Sequence, residues 1–325
     1  TCPKCGGKAK RETNTMPQWA GSCWYYIRFT DPNNENTLAS KENIKYWLPV
    51  NLYVGGAEHA VLHLLYSRFW HKFLFDIGVV NTKEPFIALR NQGMILGENG
   101  EKMSKSRGNV INPDDVIAEH GADVLRMYEM FMGPLAVDKP WNTQSIWGVR
   151  RFLEKVWRLF DKPIESNAKP SDDTEKTFHK TIKIVTEKME TLDFNTAISQ
   201  MMILITSLQK EEKLNKEMLK DFIKILHPFA PFITEELWET LGEKPSLLNE
   251  KWPSFDPAKT VDDVVTVVFQ VNGKIRAKLD LEKDLSKEKL IDMALENPRV
   301  KEFTDSFTIV NKICVPNKLV NIVVK

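Results

Sequence analysis

The sequence lacks an excess of charge of either sign. It has 45 lysines and arginines against 44 aspartates and glutamates, a formal net charge of +1. This balance excludes a generally basic nucleic-acid-binding protein, so any contact with RNA must come from local basic patches. The sequence also lacks a hydrophobic run approaching the ~20 residues of a membrane span, and it has no signal-like start. We therefore expect a cytoplasmic protein with no membrane partner.

Cysteine is scarce, and the four cysteines do not form the framework of a secreted, disulfide-rich protein. Cys2 and Cys5 frame a Cys-x-x-Cys turn followed by two glycines, which is half of a zinc knuckle. Structural zinc takes four ligands, so we expect zinc only if a longer parent chain supplies a second pair, and otherwise a plain turn with reduced thiols. The first residue is Thr1 rather than Met, which we interpret as the sign of a piece of a longer polypeptide.

What the sequence does contain is 325 residues of ordinary composition, 42% hydrophobic and 27% charged, enough for two or three domains. Strand, glycine turn and helix patterns come first, amphipathic helices follow, and the hydrophobic period changes to two near the C-terminus. The predicted fold class is α/β plus all-α plus α+β. Its parts are a half zinc knuckle, an α/β region, an antiparallel helical bundle and a small α+β domain, predicted at residues 1–10, 11–143, 144–258 and 261–325.

A glycine pair follows the first predicted strand. Residues 51–54, Asn-Leu-Tyr-Val, are predicted to form a short buried strand that ends on Gly55-Gly56, and residues 57–75 have the pattern of a long helix. In parallel α/β sheets such turns lie at the carboxyl edge, where nucleotides bind against glycine backbone and a helix N-terminus. The turn is therefore a candidate nucleotide site.

Two histidines occupy the start of that predicted helix. His59 and His63 are four residues apart, which places them on one helix face, and Glu58 precedes them. The intervening residues supply no further metal ligand, so we do not expect a zinc-binding pair here. Two interpretations remain open: the histidines line a pocket, or they are core histidines with satisfied hydrogen bonds, especially His63.

Residues 101–109 form the most distinctive stretch, Glu-Lys-Met-Ser-Lys-Ser-Arg-Gly-Asn. It places two lysines and two serines within five residues, between glycines that allow the loop to move. Lysine is a compact charge on a flexible stem and can follow a polyphosphate whose charge shifts during reaction. The alternative is a solvated basic turn.

Two further basic clusters are candidate RNA contacts. A predicted helix at residues 144–160 carries Arg150, Arg151, Lys155 and Arg158 on one broad face. Near the C-terminus, two predicted strands flank an Asn-Gly hairpin turn, and the second strand has a basic residue at every other position, Lys274, Arg276 and Lys278. That row could contact a phosphate backbone, or it could be an edge strand protected by charge.

Taken together, four motifs resemble the C-terminal portion of the bacterial leucyl-tRNA synthetases, which are class I aminoacyl-tRNA synthetases. The first is the Gly-Gly-Ala-Glu-His-Ala-Val-Leu-His-Leu-Leu-Tyr-Ser-Arg-Phe string at 55–69, and the second is Lys-Met-Ser-Lys-Ser at 102–106. The others are His-Pro-Phe-Ala-Pro-Phe at 227–232 with Glu-Glu-Leu-Trp at 235–238, and Val-Asn-Gly-Lys-Ile-Arg at 271–276. The resemblance covers nearly the whole chain.

The resemblance implies a fold and an activity. The fold is the second half of a Rossmann-like catalytic domain with the lysine loop, an anticodon-binding bundle and a tRNA-binding C-terminal domain. The activity is leucine activation by ATP with Mg²⁺ and transfer to leucine tRNA. By similarity, Lys105 and Lys102 neutralise charge on the leaving pyrophosphate, while Met103, Ser104 and Ser106 shape the loop.

The resemblance also implies two sets of binding residues. Those expected at ATP are Lys105, Gly55, Gly56, Glu58, His59 and Met94, with Glu58 accepting a hydrogen bond from a ribose hydroxyl. Those expected around leucine are Tyr26, Cys23, His59 and His63.

The other half of the catalytic fold, with its His-Ile-Gly-His signature and editing insertion, lies upstream in this family, and this sequence contains no such string. We therefore expect the missing N-terminal half as a partner, a monomer at full length and an inactive fragment. The alternative function is a tRNA-binding fragment or subunit without catalysis until that half joins it.

Overall fold

The structure is a computed structural model in which part of the chain is described. The described residues are 1–11, 13, 19–260 and 264–325. Residues 261–263, with which the predicted C-terminal part begins, lie outside them. No described helix is both long and apolar enough to cross a membrane.

The chain divides into two compact units. Unit 1 comprises Thr1–Lys169 and Ile184–Pro253, and unit 2 comprises Pro170–Lys183 and Ser254–Lys325. The predicted boundaries after residues 10, 143 and 258 stay a prediction.

The helices and strands are numbered along the chain. The described helices are α1 (Trp19–Ser22), α2 (Tyr25–Arg28), α3 (Lys41–Trp47), α4 (His63–Asp76), α5 (Pro113–His120), α6 (Ala122–Phe131), α7 (Ile146–Leu159), α8 (Asp172–Thr191), α9 (Phe194–Leu208), α10 (Lys216–Leu226), α11 (Pro231–Thr240), α12 (Lys287–Glu296) and α13 (Pro298–Lys301). The described strands are β1 (Val50–Val54), β2 (Phe86–Arg90), β3 (Ile95–Leu96), β4 (Lys139–Pro140), β5 (Ile164–Glu165), β6 (Leu214–Asn215), β7 (Val264–Val271), β8 (Lys274–Glu282), β9 (Ile309–Val315) and β10 (Leu319–Val324).

In unit 1, β1 and β2 form a parallel pair with α4 between them in sequence. The predicted order of strand, glycine turn and helix is confirmed, but the predicted helix start at residue 57 is wrong. Ala57–Val61 is a 3-10 turn, and Leu62 has non-helical dihedrals, φ −116° and ψ −107°. The α-helical hydrogen bonds therefore begin only at His63, and Glu58 and His59 lie on the turn rather than on the helix.

The helical part of unit 1 packs α6, α7, α9, α10 and α11 around side chains that are almost fully buried. One hydrogen-bonded contact joins α6 to α11: the Asp123 carboxylate accepts from the backbone N–H groups of Phe232 and Ile233 at 3.3 and 2.8 Å. These N–H groups belong to the first turn of α11 and have no partner inside the helix. The Asp123 carboxylate therefore caps α11, although the two are far apart in sequence.

In unit 2, four strands form one sheet in the order β8-β7-β10-β9. The predicted hairpin is confirmed, since Asn272 and Gly273 take left-handed φ values of 50° and 77° between β7 and β8. The parallel contact is between β10 and β7. Apolar side chains of the sheet and of α12 and α13 form one buried core, which includes Phe269 and Val320.

A register shift in the hairpin changes the predicted basic row. Phe269 pairs with Ala277 and Gln270 with Ile275, so Arg276 is an extra residue on β8. Its guanidinium lies 3.4 Å from the ring centroid of Phe303. Because a bulge inserts one residue, the side chains before and after it no longer alternate in phase. Lys274, Arg276 and Lys278 therefore do not form a single row.

Candidate functional site

The lysine loop is closed at its base by backbone hydrogen bonds. Leu96 at the end of β3 pairs with Lys102 in an antiparallel bridge, and the Gly97 N–H donates to the Glu101 carbonyl at 2.8 Å. Farther along, Lys105–Arg107 form a 3-10 turn that ends on Gly108 at φ 64°. The loop therefore has an ordered backbone, with glycine where the left-handed conformation requires it.

Both loop lysines are exposed, and among the described residues neither Lys102 nor Lys105 has a carboxylate within ion-pairing distance. The neighbouring Arg107, in contrast, pairs with Glu101 at 3.2 Å. The hydroxyls of Ser104 and Ser106 hydrogen-bond to each other at 3.2 Å. Two ammonium groups without anionic partners among the described residues can donate hydrogen bonds to phosphate oxygens.

Met103 and Met94 are partly buried residues on either side of the loop base. The Met94 N–H donates to the Asp138 carboxylate at 2.6 Å, and the Met94 carbonyl accepts from the Lys139 N–H at 3.0 Å. Both backbone groups are therefore used in joining β3 to β4, which leaves the thioether side chain as the part of Met94 that can contact a ligand.

At the second position of the glycine turn after β1, the end of the Glu58 side chain occupies the space beside the backbone. The Gly55 N–H donates to the Arg90 carbonyl at 3.2 Å, which extends the β1–β2 pairing by one residue. At Gly56 a Cβ atom would lie 2.3 Å from the Glu58 carboxylate, so that carboxylate is folded back over the glycine. Glu58 itself is exposed, with its carboxylate free to accept from a hydroxyl donor.

A chain of hydrogen bonds runs through His63. The Tyr53 hydroxyl bonds to His63 Nε2, and on the other side of the ring Nδ1 lies 3.1 Å from the Ser22 hydroxyl. The hydroxyl of Tyr25 continues the chain to Tyr53 at 2.6 Å. Burial, and then the nearby His59, lower the pKa of His63, so the neutral ring is favoured. His63 thus has the satisfied hydrogen bonds of a core histidine and still belongs to a polar cluster.

His59 lies beside this chain. Its ring centroid is 6.1 Å from that of His63 and 5.8 Å from that of Trp19, both in edge-to-face geometry. Its Nδ1 atom is buried and, among the described residues, has no hydrogen-bond partner. A buried ring nitrogen without a partner is costly, and a ligand atom could supply one.

The structure places Tyr26 and Cys23 away from the two histidines' hydrogen bonds. Tyr26 is 5% exposed and bonds through its hydroxyl to His71 Nδ1 at 3.0 Å. Cys23 is 1% exposed, its thiol donates to the Ala20 carbonyl at 2.8 Å, and burial raises its pKa. The helix is interrupted between α1 and α2, at Cys23 and Trp24. The side chains of Cys23 and Tyr26 face the core.

Sequence reasoning missed the residues one position earlier. Ser22 and Tyr25, rather than Cys23 and Tyr26, meet His63, and the Tyr25 ring stacks on the His63 ring at 5.9 Å. Both pairs have the same spacing of three, so spacing alone could not choose between them. Tyr53 was also missed, because a tyrosine inside a predicted strand has the pattern of a core residue. His71 belongs to no motif in the sequence, yet its ring bonds to the Tyr26 hydroxyl on one side and to the Thr82 hydroxyl at 3.0 Å on the other.

A cavity of about 400 Å³ borders this cluster. Its walls include Tyr25, Tyr26, Tyr53 and Trp47, so it is largely aromatic with hydroxyl groups at one side. Of the four side chains expected around leucine, Tyr26 lines this cavity, whereas Cys23, His59 and His63 are not among its lining residues.

The cysteine turn holds only half of a metal site. Backbone hydrogen bonds from Cys5 and then Lys4 lower the pKa of the Cys2 thiol, which favours the thiolate that a metal needs. Cys2 and Cys5 are nevertheless free thiols, and the described residues contain no group of three or more side chains that could hold a metal ion. Two thiolates do not fit a four-coordinate structural zinc.

Two family models match the chain. A model of class I tRNA synthetases (I, L, M and V) matches residues 5–141. A model of the anticodon-binding domain of tRNA ligase matches residues 174–291.

Solved structures are similar as well. An Agrobacterium radiobacter LeuRS, solved in a ternary complex with tRNA and LeuAMS, is 32% identical with a TM-score of 0.76. The match covers 100% of this chain and 44% of that one, so this chain spans less than half of that relative's length. A Mycobacterium tuberculosis methionyl-tRNA synthetase with methionyl-adenylate is 17% identical, with a TM-score of 0.52 over 70% of this chain and 50% of that chain. The second likeness concerns the fold alone.

Proposed function

The chain belongs to the class I tRNA synthetases of the isoleucine, leucine, methionine and valine group, and from this membership we propose that it is the C-terminal portion of a leucine–tRNA ligase. The observation that carries leucine, rather than another member of the group, is the 32% identity to a LeuRS over the whole chain. The complete reaction activates leucine with ATP and transfers it to leucine tRNA.

The lysine loop supplies charge in the activation step. The leucine carboxylate attacks the α-phosphorus of ATP, the bond to the β-phosphate oxygen breaks, and pyrophosphate leaves as leucyl-adenylate forms. Lys102 and Lys105 are exposed cations that no carboxylate of the described residues pairs with, so they can neutralise the charge that grows on the leaving pyrophosphate. ATP enters as its Mg²⁺ complex, and the metal adds charge neutralisation on the phosphates.

The turn after β1 is proposed to hold the adenosine. Gly56 allows close backbone approach, a side chain there would displace the Glu58 carboxylate, and Glu58 accepts from a ribose hydroxyl. His59 is proposed to lie where the adenosine and leucine sites meet, because its buried Nδ1 lacks a partner among the described residues. Met94 is proposed to pack its thioether against the adenine ring.

The leucine pocket is proposed at His63, with Ser22, Tyr25 and Tyr53 in contact with its ring. Cys23 and Tyr26 then form the wall behind it, since both are buried and bonded to other parts of unit 1. One methylene in such a pocket discriminates by only ~1–3 kcal/mol, which fits a family that adds an editing step.

Helix α7 is the proposed tRNA-facing surface of unit 1. Arg151, Lys155 and Arg158 are exposed on it, and among the described residues none of them has an ion-pair partner. Trp147 and Trp157 are also partly exposed on this helix. Unpaired cations beside aromatic rings suit a phosphate backbone with nearby bases or sugars.

The N-terminal half of the catalytic domain is the proposed partner of the β1–β2 pair. Leu52, Val54 and Ile87 are exposed on these strands, and α4 exposes Leu65 and Phe69 four residues apart. Exposed apolar side chains gathered on one small sheet and its helix mark a surface that another part of a protein covers. The chain spans 44% of its LeuRS relative, which leaves room for such a half.

Three further features complete the proposal: a cytoplasmic location, a monomer at full length, and a second cysteine pair in the longer parent if zinc binds at Cys2 and Cys5. No step of the reaction depends on that zinc.

The experiment that tests the proposal is leucine-dependent ATP–pyrophosphate exchange. The 325-residue chain is compared with the same chain joined to its N-terminal half. We expect exchange only in the complete protein, and a decrease of more than tenfold in Lys105→Ala with tRNA affinity unchanged, because the loop acts on the transition state. Lys41→Ala, an exposed lysine of α3, is the matched control.

Two results would contradict these expectations. Full exchange by the chain alone would show that no N-terminal half is needed. An absence of leucine-dependent exchange in the complete protein, with tRNA binding intact, would favour the second candidate function, a tRNA-binding subunit; the unpaired basic face of α7 is the observation that supports this alternative.

A further inference from the structure

One side chain clasps the two limbs of the lysine loop together. The Asn109 Oδ1 atom accepts from the Ser104 N–H at 2.9 Å, and Asn109 Nδ2 lies 3.4 Å from the Lys102 carbonyl. Nδ2 is also 3.4 Å from Asn99 Oδ1, which in turn accepts from the Glu101 N–H at 3.2 Å. The carboxamide therefore contacts the backbone on both sides of Met103.

The clasp needs a carboxamide because it uses an acceptor and a donor at once. An aspartate of the same shape could still accept from Ser104, but it could not donate to the Lys102 carbonyl. Alanine would lose both bonds. The bonds fix the main chain at Lys102 and Ser104, while the ammonium groups of both lysines stay exposed.

Gly97 provides the space that the clasp occupies. A Cβ atom there would lie 2.8 Å from Asn109 Nδ2 and 2.9 Å from Asn99 Oδ1. Contacts below 3.0 Å force something to shift. The φ of Gly97 is outside the left-handed region, so the glycine is required for space and not for backbone conformation.

We propose that Asn109 is a positioning residue for leucyl-adenylate formation, which holds the loop backbone so that Lys102 and Lys105 meet the leaving pyrophosphate in the correct geometry. The inference rests on the proposed function and adds a residue outside the Lys-Met-Ser-Lys-Ser string. A preorganised charge lowers the barrier because it need not be rearranged during the reaction. Loss of the clasp should therefore slow the chemical step more than it weakens ATP binding.

The test measures the single-turnover rate of leucyl-adenylate formation against ATP concentration in the complete enzyme. We expect Asn109→Ala to lower the maximum rate at least tenfold while the Kd for ATP changes less than threefold. Gly97→Ala should displace the Asn109 carboxamide without changing charge. We expect it to lower the maximum rate in the same way while the Kd for ATP changes little. Asn109→Asp should fall between wild type and Asn109→Ala.

Two matched controls are available. Asn36→Ala replaces an exposed asparagine, and Gly148→Ala adds a methyl group where no heavy atom lies within 4 Å. Both should keep the wild-type rate. Melting temperatures are recorded for every variant, so that a general loss of stability is separated from a change in rate.

The outcomes are distinct. If Asn109→Ala and Gly97→Ala both retain the wild-type maximum rate, or lower only the melting temperature, Asn109 has no positioning role. If both raise the Kd for ATP tenfold with an unchanged maximum rate, the clasp acts in ground-state binding and the inference is overturned. If the wild-type complete enzyme forms no leucyl-adenylate, it is the proposed function that fails.

Discussion

The two main sheets of the molecule differ in how much of their apolar surface is buried. In unit 2, the four-stranded sheet packs against α12 and α13, and Phe269 at its centre is 0% exposed. In unit 1, the β1–β2 pair leaves Ile87 65% exposed, with Leu52 and Val54 also open to solvent. The unit 2 sheet also exposes apolar side chains, such as Val310 at 61%, but its central strands bury a core that includes Phe269 and Val320.

The difference shows which part of the chain is self-sufficient. A sheet with helices over its apolar face completes its own hydrophobic core, and it needs nothing more for stability. A two-stranded parallel pair is too small to do so, because parallel sheets are normally covered on both faces. The candidate nucleotide site follows β1, so in the proposed function the chemistry depends on the part of unit 1 that the proposed N-terminal half would cover.

The largest effect should come from truncating one apolar side chain in each sheet. Phe269→Ala should destabilise unit 2 by about 3–5 kcal/mol, because it empties a fully buried site. Ile87→Ala should change the stability of unit 1 by no more than about 0.5 kcal/mol, since the side chain is mostly in water. Hydrogen exchange of the β7 and β1 amides measures each unit separately.

Tryptophan fluorescence is a second measurement of unfolding for the Phe269→Ala and Ile87→Ala variants. It reports on unit 1, because none of the nine tryptophans lies in residues 254–325. The Phe269→Ala unfolding should therefore be visible in circular dichroism before it is visible in fluorescence. Equal losses of stability from the two substitutions would break the comparison.

A charge on the open sheet should weaken assembly with the N-terminal half. We expect Ile87→Asp to raise the Kd for that half about tenfold or more, because the carboxylate would be buried without a partner. Val310→Asp, at a 61% exposed position on β9 of unit 2, is the matched control and should leave the Kd unchanged. Calorimetric titration of the two pieces measures both, and equal effects would mean that the β1–β2 surface has no special role in assembly.

The hairpin of unit 2 should respond to a backbone change of moderate size. Gly273→Ala should cost about 1 kcal/mol, because φ 77° is left-handed and alanine resists it. The amides of β7 and β8 should lose protection while those of β1 keep theirs. Gly148→Ala, in a helix with open space around it, should cost nothing, and an equal loss there would show that the effect is not specific to the turn.

The smallest effect is expected from pH. Burial lowers the pKa of His71 from its ordinary value of 6.5. In the unfolded chain His71 keeps the ordinary pKa, so below pH 6.5 the unfolded chain binds the proton more readily than the folded one. The free energy of unfolding of unit 1 should therefore decrease as pH falls from 6.5 toward the lowered pKa of the folded state. The slope from one such group cannot exceed about 1.4 kcal/mol per pH unit.

The one histidine of unit 2, His179, lies on α8 and contacts Asp256 rather than the sheet, so the hydrogen exchange of β7 to β10 should change little over the same range. Urea midpoints from tryptophan fluorescence at pH 7.5 and 5.5 measure the unit 1 response. His71→Gln should reduce its pH dependence, and an unchanged dependence would mean that other groups cause it.

Local rules predicted the local structure well. Asparagine followed by proline and two aspartates, at residues 112–115, is a typical helix start in sequence, and Asn112 caps α5 by accepting from the Asp114 N–H at 3.2 Å. The Asn-Gly turn predicted the β7–β8 hairpin for the same reason, because the residues of the turn themselves determine its backbone. The lysine loop could also be located from its residues alone.

The remaining features depend on packing between distant segments. The break at Leu62 and the break at Cys23 each change which side chains face the site, and no residue at either position signals a break. The extra residue at Arg276 is likewise invisible in the sequence, because the alternation of charge continues through it. A regular pattern in sequence therefore predicts a regular element, and it fails where tertiary contacts interrupt that element.

The hydrogen-bond chain through His63 has a direction. With a neutral ring, either Tyr53 donates to Nε2 and Nδ1–H donates to Ser22, or every bond along the chain is reversed. Tyr25 and Tyr53 border the aromatic cavity. A molecule in the cavity that accepts a hydrogen bond from one of these tyrosines, or donates one to it, therefore selects between the two arrangements. The tautomer of His63 then depends on which molecule occupies the cavity, although His63 itself does not line it.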